Sequence, residues 1–328
     1  MQSWSTRVAS LVVAAIVAGS GVAAGQDVHL LPVRKNIWML VGAGANIAVS
    51  AGPDGVLLVD AGTTAMTDKV LAAVRQLGSQ LSVNGAPPKP IQFVINTSVD
   101  ADHTGGNERI AKAGKTYTGG NVAGDLRGLG EADPEEGAQI YAYQSVLSRM
   151  SALGKDKKPV AAQGAWPAVT YDTDVLNFSH FVNGEAIQII HQPAAHTDTD
   201  SMVYFRGSDV LVTGDIFTTT AYPAIDVERG GSLQGLIDGL NRILDIAIPE
   251  FRLEGGTMII PGHGRLCDAA DVAYYRDMVT VIRDRVKDQI AKGKTLAEVQ
   301  EAGLTKDYDG RYGSPTAFIE AAYRSLKK

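Results

Sequence analysis

The chain has 328 residues, 45% of them hydrophobic and 20% charged, a globular composition with length for one large domain or two small ones. With 30 Lys and Arg against 36 Asp and Glu, the formal net charge is -6, which excludes the basic footprint of a nucleic-acid partner. The single cysteine, Cys267, excludes an intrachain disulfide and reads as a small buried packing residue, with a metal-ligand role as the alternative.

Residues 1–7 carry one positive charge, 8–17 are apolar and 18–25 are small. This is the layout of a secretory signal peptide, with cleavage after Ala24 or Gly25. The apolar run is too short for a membrane span, so no stable membrane insertion is expected after cleavage. The expected product is a periplasmic or secreted single domain over residues 26–328.

Residues 36–41 and 47–51 are apolar, β-favouring runs separated by Gly42 and Gly44. Gly52-Pro53-Asp54-Gly55 is a turn signal before a buried strand at 56–59, which ends at Asp60-Ala61-Gly62. Residues 63–77 have helical spacing, with Val70, Leu71, Val74 and Leu77 on one side. A Pro-rich break at 86–90 precedes a strand at 91–95. A short helix is expected after Asn107, and a strand starting at Thr116 and Tyr117. Residues 124–170 read as an insertion near the site, helical near 140–153, with Trp166 and Tyr171 as candidates to lid it. Strands are expected again at 178–181, 186–191, 201–206 and 209–213, then a helix at 233–244 and a strand at 257–260. From 268 the chain turns into a helical extension, with an amphipathic run at 272–290 that stops at Gly293. Thr295-Leu296-Ala297-Glu298 is a capping box, and Pro315 marks the first position of the last helix.

Four strand-end segments carry carboxylates and imidazoles. The block Ser98-Val99-Asp100-Ala101-Asp102-His103-Thr104-Gly105-Gly106-Asn107 follows the strand at 91–95. His196-Thr197-Asp198, Thr213-Gly214-Asp215 and Pro261-Gly262-His263-Gly264 lie downstream, the last two each after an apolar run. Oxygen and imidazole donors offered from four such ends suggest one metal site assembled by the fold. His191 reads as a structural strand-end residue, and His29 and His180 as surface or packing residues. Asp198 and Asp200 read as loop-capping carboxylates. Tyr222 reads equally as a substrate-pocket wall or a packing residue.

These segments in this order, with Val59-Asp60-Ala61-Gly62 before them, resemble the metallo-β-lactamase superfamily over residues 37–263. The resemblance implies an α/β (α+β) fold, a four-layer αββα sandwich with the metal site at one edge between its two sheets. It also implies a metal-dependent hydrolase holding one or two zinc ions. The family signature His-x-His-x-Asp-His is altered here: Ser98 stands where the first His would be and Asp100 where the second would be. By resemblance, one site uses Asp102, His103 and His263 with Asp215 bridging. The other uses the positions of Ser98, Asp100 and His196, again with Asp215. Asp60 matches a supporting position. The second site is richer in oxygen and leans toward harder metals such as manganese or magnesium, a weaker zinc, or vacancy.

The implied reaction is attack of metal-bound hydroxide on the carbonyl of a small-molecule ester, thioester, lactone or amide, with Asp102 and Asp100 as the candidate catalytic carboxylates. If only the Asp102 site is filled, Asp100 is the candidate base and His196 orients water or stabilises the oxyanion. The alternatives are a β-lactam hydrolase of the same fold and a non-catalytic metal- or ligand-binding protein. Redox chemistry at a diiron version of the site is a weaker reading, since no flavin-binding domain accompanies it.

Overall fold

A computed structural model describes residues 27–116, 137–178, 181–247 and 255–327. Strands β1 (His29–Arg34), β2 (Ile37–Val41), β3 (Ile47–Gly52) and β4 (Gly55–Val59) form an antiparallel meander. Helix α1 (Thr67–Leu81) returns the chain to β5 (Ile91–Ile95), parallel to β4. The short helices α2 (Ala101–Thr104) and α3 (Asn107–Ala113) follow. Then come β6 (Gln139–Tyr143), α4 (Gln144–Ser151) and β7 (Val169–Tyr171), which complete a 7-stranded sheet ordered β1 to β7. A 5-stranded sheet is built from β8 (Val175–Asn177), β9 (Ile187–His191), β10 (Ser201–Phe205), β11 (Val210–Val212) and, after α5 (Leu233–Ile246), β12 (Met258–Ile260). Helices α6 (Ala269–Ala291), α7 (Leu296–Glu301), α8 (Asp309–Tyr312) and α9 (Thr316–Leu326) close the chain.

The strands alternate their side chains between two layers, as a pleated strand must. Leu57, Val59, Phe93 and Ile95 of the first sheet meet Ile189, Val203, Phe205 and Val212 of the second in one core. Val56, Leu58 and Val94 face the other way and pack against Val70, Val74 and Leu77 of α1 and Ile110 of α3. On the far side, Met202, Tyr204 and Leu211 pack against α5, α6 and α9 through Leu236, Leu240, Tyr275, Val279 and Phe318. Helix, sheet, sheet and helix are therefore stacked in the expected αββα order. A bulge lets Val56 pair Ile91 and Leu57 pair Phe93, so one extra β5 residue keeps Phe93 on the inter-sheet face.

Residues 139–171 are scaffold rather than insertion. β6 pairs in parallel with both β5 and β7, and only 144–151 of the expected 140–153 helix is helical. The alternating sequence Gln-Ile-Tyr-Ala-Tyr is a strand signal, and Val146 and Met150, four apart, are the buried face of α4. The expected strand at 178–181 lies earlier, as β8, and Phe178 turns into the inter-sheet core. Thr116 is not in a strand. The leader read at 1–25, Tyr117, His180 and the 124–136 part of the expected insertion lie outside the described residues. The capping box forms, with the Thr295 N–H donating to Glu298 Oε2 at 2.8 Å. Pro315 is the N-cap of α9 rather than its first residue. Among the described residues no helix is long and apolar enough to cross a membrane.

Candidate metal centre

The site lies at one edge of the two sheets, where the segments after β4, β5, β9, β11 and β12 meet. His103 is placed by α2 and is fully buried. Its Nδ1–H donates to Asp60 Oδ2 at 2.8 Å, because an ionised carboxylate can only accept. Asp60 also accepts from the Thr97 N–H at 2.8 Å and the Thr97 hydroxyl at 2.7 Å. It holds these bonds from a left-handed backbone conformation, φ 69°, that few non-glycine residues adopt. Asp60 therefore grips His103 from behind and leaves Nε2 pointing into the site, as a supporting residue should. Asn96 adds a bond to the His103 carbonyl at 3.3 Å and is itself locked to Asn107.

Asp215 sits in the turn after β11 and is the hub. Its Oδ1 lies 3.2 Å from His103 Nε2 and 3.3 Å from His263 Nε2, and its Oδ2 lies 3.8 Å from His196 Nδ1. His263 Nε2 is also 3.2 Å from Asp102 Oδ2. A Cβ on residue 262 would collide with Asp215 Oδ1, which is why a glycine precedes His263. Asn46, in the β2–β3 loop, fixes the His263 segment by donating to the carbonyls of Pro261 at 2.9 Å and Gly264 at 3.1 Å.

Two groups result: Asp102, His103 and His263, and Asp100, His196 and Asp215, each with its ligand atoms within 4.8 Å of one another. His103 Nε2 and Asp215 Oδ1 face each other at 3.2 Å, but these two buried atoms and His196 Nδ1 complete no hydrogen bond of good geometry among the described residues. Leaving such atoms unsatisfied costs about 1–3 kcal/mol each. A divalent cation at Asp215 Oδ1 would remove that cost for His103 and Asp215, and mixed imidazole and carboxylate donors are an accepted set for one. The residues therefore fit the implied metal.

The charge pattern agrees. Burial opposes ionisation of Asp215, yet His103, His263 and His196 hold its carboxyl well below the ordinary range. Burial likewise opposes the charged form of His103, yet Asp215 and Asp60 hold that imidazole well above 6.5. Hydrogen bonding to Asp102 and then Asp215 raises His263 to about 9. His196 is raised too, with Asp200 outweighing burial.

A group raised in the folded state stabilises fully below its unfolded value and ceases to as pH passes its folded value. Chelator-treated protein is therefore expected to lose stability between about pH 6.5 and about 9, followed by thermal unfolding across that range. Metal affinity is expected to rise over the same window, because protons leave the histidines as the ion binds. A flat metal-free profile would contradict the arrangement.

The second group differs from the first. Ser98 is fully buried, and its Oγ accepts the Asp100 N–H at 3.2 Å, so it shapes the turn that carries Asp100. Asp100 Oδ2 is 3.4 Å from His196 Nε2, while its Oδ1 is ion-paired with Arg229 Nη1. Nothing in the sequence pointed to Arg229. Its local signal is a turn, with Asp226 accepting the Arg229 N–H at 2.9 Å, and no local pattern lays that turn over Asp100. Asn46 was missed for the same reason.

Other assignments change. Tyr222 is not a pocket wall: its Oη donates to Asp309 Oδ1 at 2.8 Å, and its ring stacks on Phe318 in the α5–α9 core. Tyr171 is no lid, since it is buried with its Oη 2.6 Å from Ser201 Oγ. Trp166 Nε1 is tied to the Ala161 carbonyl at 3.0 Å. His191 stacks on Tyr143, with Nδ1 2.9 Å from the Asp200 carbonyl oxygen. Asp200 closes the loop after His196 by accepting from Thr197, and Asp198 pairs with Arg149 at 2.7 Å. Cys267 is buried beside β12, its thiol pushed up to about 12 chiefly by burial.

The Metallo-beta-lactamase superfamily matches residues 41–263. No curated protein sequence matches the chain. Among solved structures, the stereoselective inverting sec-alkylsulfatase Pisa1 from Pseudomonas sp. is 18% identical, with a TM-score of 0.60. That match covers 90% of this chain and 50% of the alkylsulfatase, so this chain spans half its length. The DIM-1 metallo-beta-lactamase is 15% identical with a TM-score of 0.52, covering 77% of this chain and 97% of that one. A metallo-beta-lactamase from Pontibacter korlensis is 14% identical with a TM-score of 0.53, covering 77% and 99%. At these identities the likeness is one of fold. With the family matched over residues 41–263 and the donor groups assembled inside that span, this chain belongs to the metallo-beta-lactamase superfamily.

Proposed function

We propose that the chain is exported and hydrolyses the carbonyl of a small-molecule ester, thioester, lactone or amide, with zinc as its metal. The observation that carries this reading is the Asp215 hub, where buried imidazole and carboxylate atoms converge without completing hydrogen bonds of good geometry. Asp102, His103 and His263, with Asp215, are the residues to hold the ion. Once bound, a zinc ion supplies an acidified water and polarises the substrate oxygen. Asp60 keeps His103 in the tautomer that offers Nε2, and Asn46 keeps the His263 loop in register. Asp100 Oδ2 is the oxygen placed to take a proton, since Oδ1 is held by Arg229. Export rests on the signal-peptide layout of residues 1–25.

The test is a panel of ester, thioester, lactone, amide, β-lactam and sulfate-ester substrates with metal-loaded protein. Turnover of a carbonyl substrate that stops on chelation supports the reading. Turnover confined to the β-lactam supports the lactamase alternative, and confined to the sulfate ester it overturns the carbonyl assignment. Silence throughout favours a binding protein. Asp100→Ala is expected to lower kcat by about 10²–10⁴-fold while metal content stays unchanged. Full activity in that variant would remove Asp100 as the base.

A further inference from the structure

We propose that Arg229 sets the metal stoichiometry: its guanidinium, paired with Asp100, stands in for a second cation in the group of Asp100, His196 and Asp215, so the chain holds one divalent ion. The inference rests on the metal-hydrolase reading above and concerns this chain's own residues.

The ion pair between Arg229 Nη1 and Asp100 Oδ1 joins residues 129 positions apart and occupies one oxygen of a carboxylate the second group needs. The guanidinium is held from both sides, since Arg229 Nε donates to Asp226 Oδ2 at 2.6 Å. Its backbone is held as well. The Arg229 carbonyl accepts from Arg149 Nη2 at 3.1 Å and from the Asp198 N–H at 3.0 Å. The cation is therefore a fixed part of the site wall rather than a loose surface arginine. Beside it, Ser98 offers no imidazole, and its hydroxyl is already bonded to the Asp100 N–H.

Charge balance points the same way. The two groups contain three carboxylates, Asp100, Asp102 and Asp215. One divalent ion and one guanidinium neutralise them, with Asp226 sharing Arg229 on the more exposed side. A second divalent ion would lie next to the guanidinium paired with Asp100, and like charges at close range in a partly buried site repel strongly. Of the other charged groups near His196, Asp200 is bonded to Thr197, and Arg149 is engaged by Asp198.

Zinc binding distinguishes the outcomes. Metal-free protein is titrated with zinc salt, without substrate, and bound metal is read by calorimetry and elemental analysis. The wild type and Arg229→Lys are expected to bind one ion per chain. Arg229→Met is expected to bind two, the second tightened on the order of 100-fold by loss of the adjacent charge. Adding Asp100→Asn to Arg229→Met is expected to return the count to one. Arg229 is part-buried, and Arg229→Gln serves if the methionine variant does not fold. Two ions in the wild type, or one in every neutral variant, would overturn the proposal and leave the hydrolase reading standing. No ion in any variant would overturn both. A silent substrate panel with the expected stoichiometry would overturn only the hydrolase reading.

Discussion

Asp215→Ala is expected to strip the metal from the protein and lower kcat/KM by at least about 10³-fold, because the activated water is lost with the ion. Among the described residues, Asp215 is the one carboxylate that reaches both groups, Oδ1 toward His103 and His263 and Oδ2 toward His196. The neighbouring acids are engaged elsewhere, Asp102 by His263 and Asp100 by Arg229. The change also leaves the buried His103 imidazole without one of the two carboxylates that hold it charged when metal-free. Breaking such a buried pair costs about 3–5 kcal/mol. Metal content, steady-state kinetics and denaturant unfolding of chelated protein measure the three effects separately. Wild-type metal content in Asp215→Ala would mean that Asp215 is not a ligand.

Asp60→Ala is expected to act from behind the site with nearly the same severity on stability. Asp60 is 1% exposed and receives three hydrogen bonds, from the Thr97 N–H, the Thr97 hydroxyl and the His103 Nδ1–H. Alanine leaves those donors without their acceptor in a buried pocket, costing about 3–5 kcal/mol. His103 also loses the partner that fixes its tautomer, and metal affinity is expected to fall about 10–100-fold. Asp60→Asn keeps the volume and one acceptor, so it should recover much of the stability but little of the affinity. Urea unfolding and zinc titration separate the two. Equal losses in both variants would reduce Asp60 to a packing role.

Much of this organisation is local and therefore legible in the residues. Strands β2 to β5 and β9 to β12 follow from short apolar runs between glycine, proline and asparagine turns, because a strand sandwiched between layers must be apolar on both faces. Ligand types are legible too, since Asp102, His103, His196, Asp215 and His263 sit where such runs stop. The strand β6 was hidden because its five residues run directly into a helix with its own apolar spacing. Tyr222 read equally as a pocket wall or a packing residue because a tyrosine beside a threonine run carries no sign of which way it turns. Its partner Asp309 is 87 positions away.

What the linear chain determined by itself is the set of donors, the layers they hang from and the family to which the pattern belongs. Tertiary structure decided which carboxylate is gripped by Arg229 and how Asn46 ties a loop 215 residues distant to the site. The division has a physical cause. Periodicity and turn chemistry act over a few residues along the backbone, whereas hydrogen bonds and ion pairs act over a few ångströms of space. Only the packing of the two sheets brings those ångströms within reach.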